Sequence, residues 1–407
     1  MSVPMMNKPA LKRRHLLAAA GGAVAAAAGL ARPAIAAMKT FRVGVLGVMS
    51  GPDAAWGLHN KYCAIATANM YNAAGGFEIG GEKYGIEVSA MDDQLDPKTA
   101  VSGAEKLTQE EGLRYLIGPN VDTTALSIKP VMERNKAIYI PYAFNKTLYT
   151  PPAENAILGM IASYEAGPII YQYLIKTKGI KTIAFLAANE PDALNQQQSG
   201  VAAAQKLGLD VVVKDATYQA SATDFFPVVS PIVKKKPDLL VFSGVAPATA
   251  PLLIKAAREL GYQGLLSTET AQDIKILNEG AGKYAEGFIS VGGASTPEIR
   301  SAYMEQFVKE YAKAAGQWDD EAGTKVYALE MILHTIAKAG PAAIGDTAPY
   351  KAAIDSFAMP NPFLKSASTL QYVGTEYFGQ KRQIGVPMVV NEVKDGTFQT
   401  LFVGSVA

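Results

Sequence analysis

Phe41-Arg42-Val43-Gly44-Val45-Leu46, the turn Ser50-Gly51-Pro52-Asp53 and the helically spaced run from Ala54 to Asn72 decide the fold. The first is an apolar run of strand length, and the second is built of turn residues. The third stops at Gly75-Gly76, where glycine can take the backbone of a helix C-terminus. Strand, turn and helix in that order open a parallel α/β sheet. The same unit then repeats. Ile86-Glu87-Val88-Ser89-Ala90-Met91 alternates as a strand, and Asp96-Pro97 opens a helix with Asp as N-cap and Pro at the first helical position. Leu113–Gly118 and Ala137–Pro141 supply two further strands around another helix.

The rhythm restarts in the second half. Thr182–Ala187 reads as a strand and Ala193–Leu207 as a helix ended by Gly208. Val211-Val212-Val213 and Asp238–Phe242 are strands around a helix beginning near Asp224. Pro247–Leu260 is helical, ends at Gly261 and leads into the strand-like Gly264–Ser267. Two such series predict an α/β protein of two doubly wound lobes with mostly parallel sheets. Ligands of such sheets lie at the carboxyl ends of the strands. That rule selects the turns 47–57, 118–124, 141–149, 187–195, 243–249 and 267–272. No long low-complexity linker separates the series, so short crossings join the lobes.

The chain has 407 residues, 38 basic and 37 acidic side chains, three histidines and one cysteine. A hydrophobic content of 49% is enough to fill more than one core. The balanced charge argues against a nucleic-acid partner, which needs a basic stripe to neutralise phosphates. One cysteine excludes an internal disulfide, and histidines scattered at 15, 59 and 334 argue against a metal cluster. The N-terminus alters the arithmetic. Lys12-Arg13-Arg14-His15-Leu16-Leu17, an Ala/Gly-rich run to Ala31 and Ala34-Ile35-Ala36 have the layout of an export signal with a small-x-small cleavage site. The paired arginines resemble a twin-arginine signal, although the usual Ser before them is missing. The rival reading, a membrane anchor, suffers from a run that is short and weakly apolar. Removal of residues 1–36 leaves 33 basic and 37 acidic groups, a formal charge of −4.

Catalytic chemistry finds little support. There is no Gly-x-Ser-x-Gly elbow, phosphate-binding P-loop or His-Glu-x-x-His. Cys63 reads as a small buried hydrophobe, His59 and His334 as solvated or locally bonded, and Asp92-Asp93 as a strand-end turn. No enzyme activity, cofactor or metal is expected.

Ser50-Gly51-Pro52-Asp53-Ala54-Ala55-Trp56-Gly57 resembles the first ligand loop of the leucine/isoleucine/valine-binding family of periplasmic solute-binding proteins. Tyr71-Asn72-Ala73-Ala74-Gly75-Gly76, Asp92-Asp93-Gln94-Leu95-Asp96-Pro97-Lys98-Thr99-Ala100-Val101, Ile117-Gly118, Asp224-Phe225 and Ala256-Ala257-Arg258-Glu259-Leu260-Gly261 follow in that family's order, over roughly residues 41–345. The resemblance implies two α/β lobes crossed by three hinge strands, closing on a ligand in the cleft. It assigns 41–163 with 291–385 to lobe I and 164–290 with 386–407 to lobe II. It further implies a monomer in the periplasm, its signal cleaved near Ala36, that hands a small molecule to the membrane permease of an ABC importer. A sensory protein of the same fold, regulating a partner, is the alternative.

Position by position, the likeness makes Trp56 an aromatic that packs on the ligand. Asp122 and Thr123 match the turn that receives a ligand carboxylate, and Tyr142, Ala143 and Phe144 the second binding turn. Glu269 matches the acid that pairs with a ligand ammonium, and Tyr327 a helix-borne aromatic. Asp192 and Ala246 mark two further lobe II loops whose usual tyrosines are absent. Asp122 stands where a Ser hydroxyl is usual, and Phe144 replaces a Thr. The family's disulfide positions fall at Leu95 and Val121. Asp122 also suits the N-cap of a helix starting at Thr123. An acid there would repel a carboxylate, so an amino-acid-like, amide or aromatic solute is expected rather than leucine itself.

Overall fold

Strand β1 (Lys39–Gly47) lies at the centre of a five-stranded sheet and buries Val43, Val45 and Leu46 completely. A strand covered on both faces reads as a continuous apolar run, which is why this segment was legible in the sequence. The coordinates are a computed structural model that describes residues 38–51, 53–294 and 296–405. The export-signal reading of residues 1–36 and Pro52 of the first turn lie outside them.

Helix α1 (Ala54–Ala73) follows β1, and the hairpin β2 (Phe77–Ile79) and β3 (Glu82–Asp92) returns the chain to it. Helix α2 (Pro97–Glu105) starts where expected, Asp96 accepting the Thr99 N–H at 2.7 Å. Strand β4 (Tyr115–Ile117), helix α3 (Asp122–Arg134) and strand β5 (Ile138–Ile140) complete the order β2-β3-β1-β4-β5. All pairs except β2/β3 are parallel.

Helix α4 (Ser163–Lys178) carries the chain to a seven-stranded sheet. Its elements are β6 (Thr182–Ala188), α5 (Pro191–Lys206), β7 (Asp210–Tyr218), α6 (Phe226–Lys234), β8 (Leu239–Ser243), α7 (Ala250–Glu259), β9 (Leu265–Ala271), α8 (Ile274–Ala281) and β10 (Phe288–Gly292). The chain then returns to the first lobe through α9 (Ala302–Ala315) and α10 (Tyr327–Ala339), of which α9 packs on α1. A small sheet of β11 (Ala358–Pro360), β12 (Thr369–Val373) and β13 (Gln383–Ile384) precedes a third crossing. Antiparallel β14 (Pro387–Lys394) and β15 (Thr397–Ser405) finish the second sheet, in the order β15-β14-β10-β9-β8-β6-β7.

Two elements outrun their sequence signals. β7 extends beyond Val213 through Lys214 and Asp215, because an edge strand tolerates polar, exposed residues that break the apolar run. β9 continues past Ser267 through Thr268-Glu269-Thr270 to Ala271, with a register irregularity against β10 between the paired Ser267 and Ala271. Glu269, expected in a loop, is therefore a strand residue. No helix among the described residues is long and apolar enough to cross a membrane.

Candidate functional site

The carboxyl ends of the two parallel sheets face each other, so the turns after their strands converge. From the first lobe come Trp56 in the first turn of α1, Asn120 and Val121 before α3, and Tyr142, Ala143 and Phe144 after β5. The second lobe contributes Glu190, Asp192, Ala193 and Gln196 at the start of α5, Gly244 after β8, and Thr270 and Ala271 at the end of β9. With Met160, Glu321 and Lys325 they enclose a cavity of about 90 Å³. One water needs roughly 10–15 Å³ on that scale, so the space suits a small organic molecule.

Side-chain bonds hold the wall in place. Asp92 Oδ1 accepts the Met49 N–H at 2.8 Å and so fixes the loop after β1. Asn120 Nδ2 donates to the Trp56 carbonyl at 3.2 Å. Gly244, at φ +62°, lets the loop after β8 approach α5, since a Cβ there would lie 2.7 Å from Ala193 Cα. Among the described residues, buried polar atoms of the wall without a hydrogen-bond partner include Asn120 Oδ1, the Tyr142 hydroxyl, Gln196 Oε1 and Glu321 Oε2, the last being 3.5 Å from His59 Nδ1. Buried polar groups are normally bonded, so unpartnered ones mark where a ligand or water belongs.

Acids meet across the cleft on both flanks. Asp192 of α5 reaches the N-terminus of α3, where its Oδ2 and Oδ1 accept the Asp122 N–H at 3.1 and 3.3 Å. Asp122 is the first residue of α3 and does not cap it. Its Oδ1 instead accepts the N–H groups of Phe144 and Asn145 at 2.7 and 2.8 Å. Burial, then the Asp122 charge, push the Asp192 carboxyl up to about 8. Nearby, burial and then Glu190 raise Asp53. On the other flank Asp273, the N-cap of α8, accepts the Asp320 N–H at 3.2 Å and faces Asp319. Burial, then the Asp319 charge, lift Asp273 to about 7.

Behind that second pair lies a buried cation. His59 Nε2 is 2.8 Å from Asp319 Oδ2, and Nδ1 is 3.5 Å from Glu321 Oε2. Burial opposes its charge, but the Glu321 and Asp319 carboxylates hold it up to about 9. Glu321 Oε1 also accepts from Lys325 Nζ at 3.0 Å, and that ammonium stands 5.5 Å from the Tyr142 ring centre. The histidine expected to be solvated or locally bonded is thus buried between two acids distant in sequence, while buried Cys63 donates weakly to the Ala322 carbonyl.

Of the residues selected from sequence, Trp56, Tyr142, Ala143, Phe144 and Asp192 line the cavity. Asp122 borders it through Asp192. Thr123 is exposed in a separate groove beside Leu126 and Asn195. Ala246 does not line the cavity. Glu269 Oε1 accepts from the Tyr171 hydroxyl beneath the sheet, next to Gly200, and burial lifts its carboxyl to about 7. Tyr327 is buried edge-on against Phe363. The residues not anticipated include Glu190, Gln196, Glu321 and Lys325. Glu190 lies in the selected turn 187–195 without having been singled out, and Glu321 with Lys325 left a trace as an acid and a lysine four apart.

The sequence model of the periplasmic binding protein family matches residues 40–397. A Leu/Ile/Val-binding protein of Citrobacter freundii is 26% identical over 253 residues, 62% of this chain and 67% of that protein. The Leu/Ile/Val-binding protein of Escherichia coli K12 is 27% identical over 262 residues, 63% and 68% of the two chains. Among solved structures, the leucine binding protein LivK of Thermotoga maritima superimposes with a TM-score of 0.72 at 19% identity, covering 89% of this chain and 98% of its own. LivJ of Streptococcus pneumoniae, in complex with isoleucine, gives 0.73 at 18%, covering 90% and 99%. A solute binding protein of Rhodopseudomonas palustris, in complex with benzoate, gives 0.72 at 19%, covering 90% and 98%. At such identities the structural likeness carries the fold alone.

Proposed function

This chain belongs to the periplasmic binding protein family, a family of binders and not of enzymes, and from that premise we propose that it captures a small solute for an ABC importer. The observation that carries the reading is the cavity itself, walled by rings from the first lobe and by polar groups from the second. A solute held by both lobes stabilises the closed arrangement over the open one, which is how binding becomes a signal to a permease. In this reading residues 1–36 are a twin-arginine-type signal cleaved near Ala36, and the monomer works in the periplasm. Lobe I comprises 41–163 and 291–385, and lobe II comprises 164–290 and 386–407. The solute is amino-acid-like, aromatic or an amide.

Thermal shift over a panel of amino acids, amides, amines and aromatic acids tests the capture. At least one compound raises Tm saturably, and deleting the gene abolishes uptake of that compound. A panel without any shift, or unchanged uptake in the deletion strain, sinks the transport reading.

A further inference from the structure

Three features of the cavity bear on the charge of what it holds. First, the backbone donors beside it are occupied by the protein's own carboxyls. The free N–H groups of a helix N-terminus attract anions. At α3 that place is taken by Asp192, which accepts the Asp122 N–H, while Asp122 itself takes the N–H groups of Phe144 and Asn145. The pair is a built-in anion where a ligand carboxylate would otherwise seat, and a second anion beside it would be repelled.

Second, the polar groups left open favour a donor. Gln196, 6% exposed, has an unpartnered carbonyl oxygen, and Asn120, 8% exposed, has another that lies against Gly47. The Tyr142 hydroxyl can also accept, and the exposed Glu190 adds a carboxylate. Lys325, the one cation among the described residues lining the cavity, is already paired with Glu321. Third, Trp56 and Phe144 bring aromatic rings to the same space, and ring faces attract cations.

Resting on the capture reading above, we infer that the solute is a small organic cation: an ammonium or amidinium group on an apolar or aromatic body, without a carboxylate. Glu190 and the Gln196 carbonyl receive its N–H groups, Trp56 and Phe144 cover its body, and the Asp122–Asp192 pair excludes carboxylates. Asp122 and Asp192 are then specificity-determining residues, set against the anion that the α3 terminus would otherwise favour.

Calorimetric titration of the purified protein at pH 7 with benzylammonium, benzamide, benzoate and L-phenylalanine reads the charge preference at nearly constant size. Benzylammonium is expected to bind at least about tenfold tighter than the other three. Glu190→Gln, at an exposed position, removes that preference. The double variant Asp122→Ser with Asp192→Ala frees the α3 terminus and gains benzoate affinity by about tenfold, the scale of one charge-assisted hydrogen bond. Circular dichroism confirms its fold; should it fail to fold, the Glu190→Gln comparison decides. Benzoate, L-phenylalanine or benzamide binding the wild-type protein as tightly as benzylammonium overturns the inference, as does a carboxylate as the sole binder in the wider panel. Either result leaves solute capture standing. No binding of any compound overturns both.

Discussion

The two flanks of the cleft solve one electrostatic problem in different ways. Each sets an aspartate of the first lobe against an aspartate of the second, Asp122 against Asp192 and Asp319 against Asp273. At the second flank His59 and Lys325 stand behind the acids. Burial works against the Asp319 charge, but the His59 hydrogen bond holds that carboxyl low, so the proton rests on Asp273. At the first flank no side-chain cation among the described residues bonds the pair, whose hydrogen bonds come from backbone N–H groups. One contact is an ion-pair network and the other a pair of acids held by backbone N–H groups at a helix end. The second kind yields more readily when the cleft opens, since water replaces backbone donors at little cost.

Three substitutions break or sharpen that contrast. The largest effect is expected from His59→Gln, which strips the compensated flank of its cation and leaves Asp319 and Glu321 buried with only Lys325. Unfolding in urea should show a loss of about 3–5 kcal/mol, the range for breaking a buried ion pair. A loss below about 1 kcal/mol would mean that the network contributes nothing distinctive.

The next effect is one of pH. Asp192 is raised from 3.8 to about 8, so the closed form holds a proton that the unfolded chain releases. Its contribution is complete below about pH 4 and is lost as pH rises towards 8. His59, raised from 6.5 to about 9, acts in the same direction: full below pH 6.5 and lost by about pH 9. Tm is therefore expected to fall between pH 5 and pH 9. Asp192→Asn keeps an acceptor for the Asp122 N–H, removes the titration and flattens the slope up to pH 8 by no more than about 1.4 kcal/mol per pH unit. An unchanged slope in this variant would remove Asp192 from the linkage.

The smallest effect belongs to Asp273→Asn. Asparagine caps a helix as well as aspartate does, so the Ile276 N–H stays satisfied. The second flank loses a carboxyl that is already largely neutral at pH 6, together with the oxygen that accepts the Asp320 N–H, and stability there should fall by about 1 kcal/mol. A loss of more than about 2 kcal/mol would show that the Asp273 charge, and not its cap, holds that flank.

Much of the architecture was legible because buried parallel strands are apolar throughout and their helices carry local stop signals. β1, the Asp96-Pro97 helix start and Gly208 and Gly261 after their helices are of this kind. The polar end of β9 was not, since Thr268, Glu269 and Thr270 fall where the register with β10 shifts, between the paired Ser267 and Ala271. In the cavity, Trp56, Tyr142, Phe144 and Asp192 stood on turns chosen by the strand-end rule. Gln196 lies a full turn inside α5, and Lys325 follows a short 3₁₀ turn outside every turn chosen. Nothing local distinguishes such positions from solvated ones.

Local chemistry alone determined the two βα series, the turns facing the cleft, the lack of a catalytic set and the solitary cysteine. These follow from periodicity, capping and composition, which act over a few residues. Tertiary structure decided which acids meet which. Glu269 went to Tyr171 beneath the sheet, Asp192 to the end of α3 and His59 to Asp319 and Glu321. The reason is physical: burial and charge pairing depend on atoms brought within a few ångströms by folding, from segments 70 to 262 residues apart.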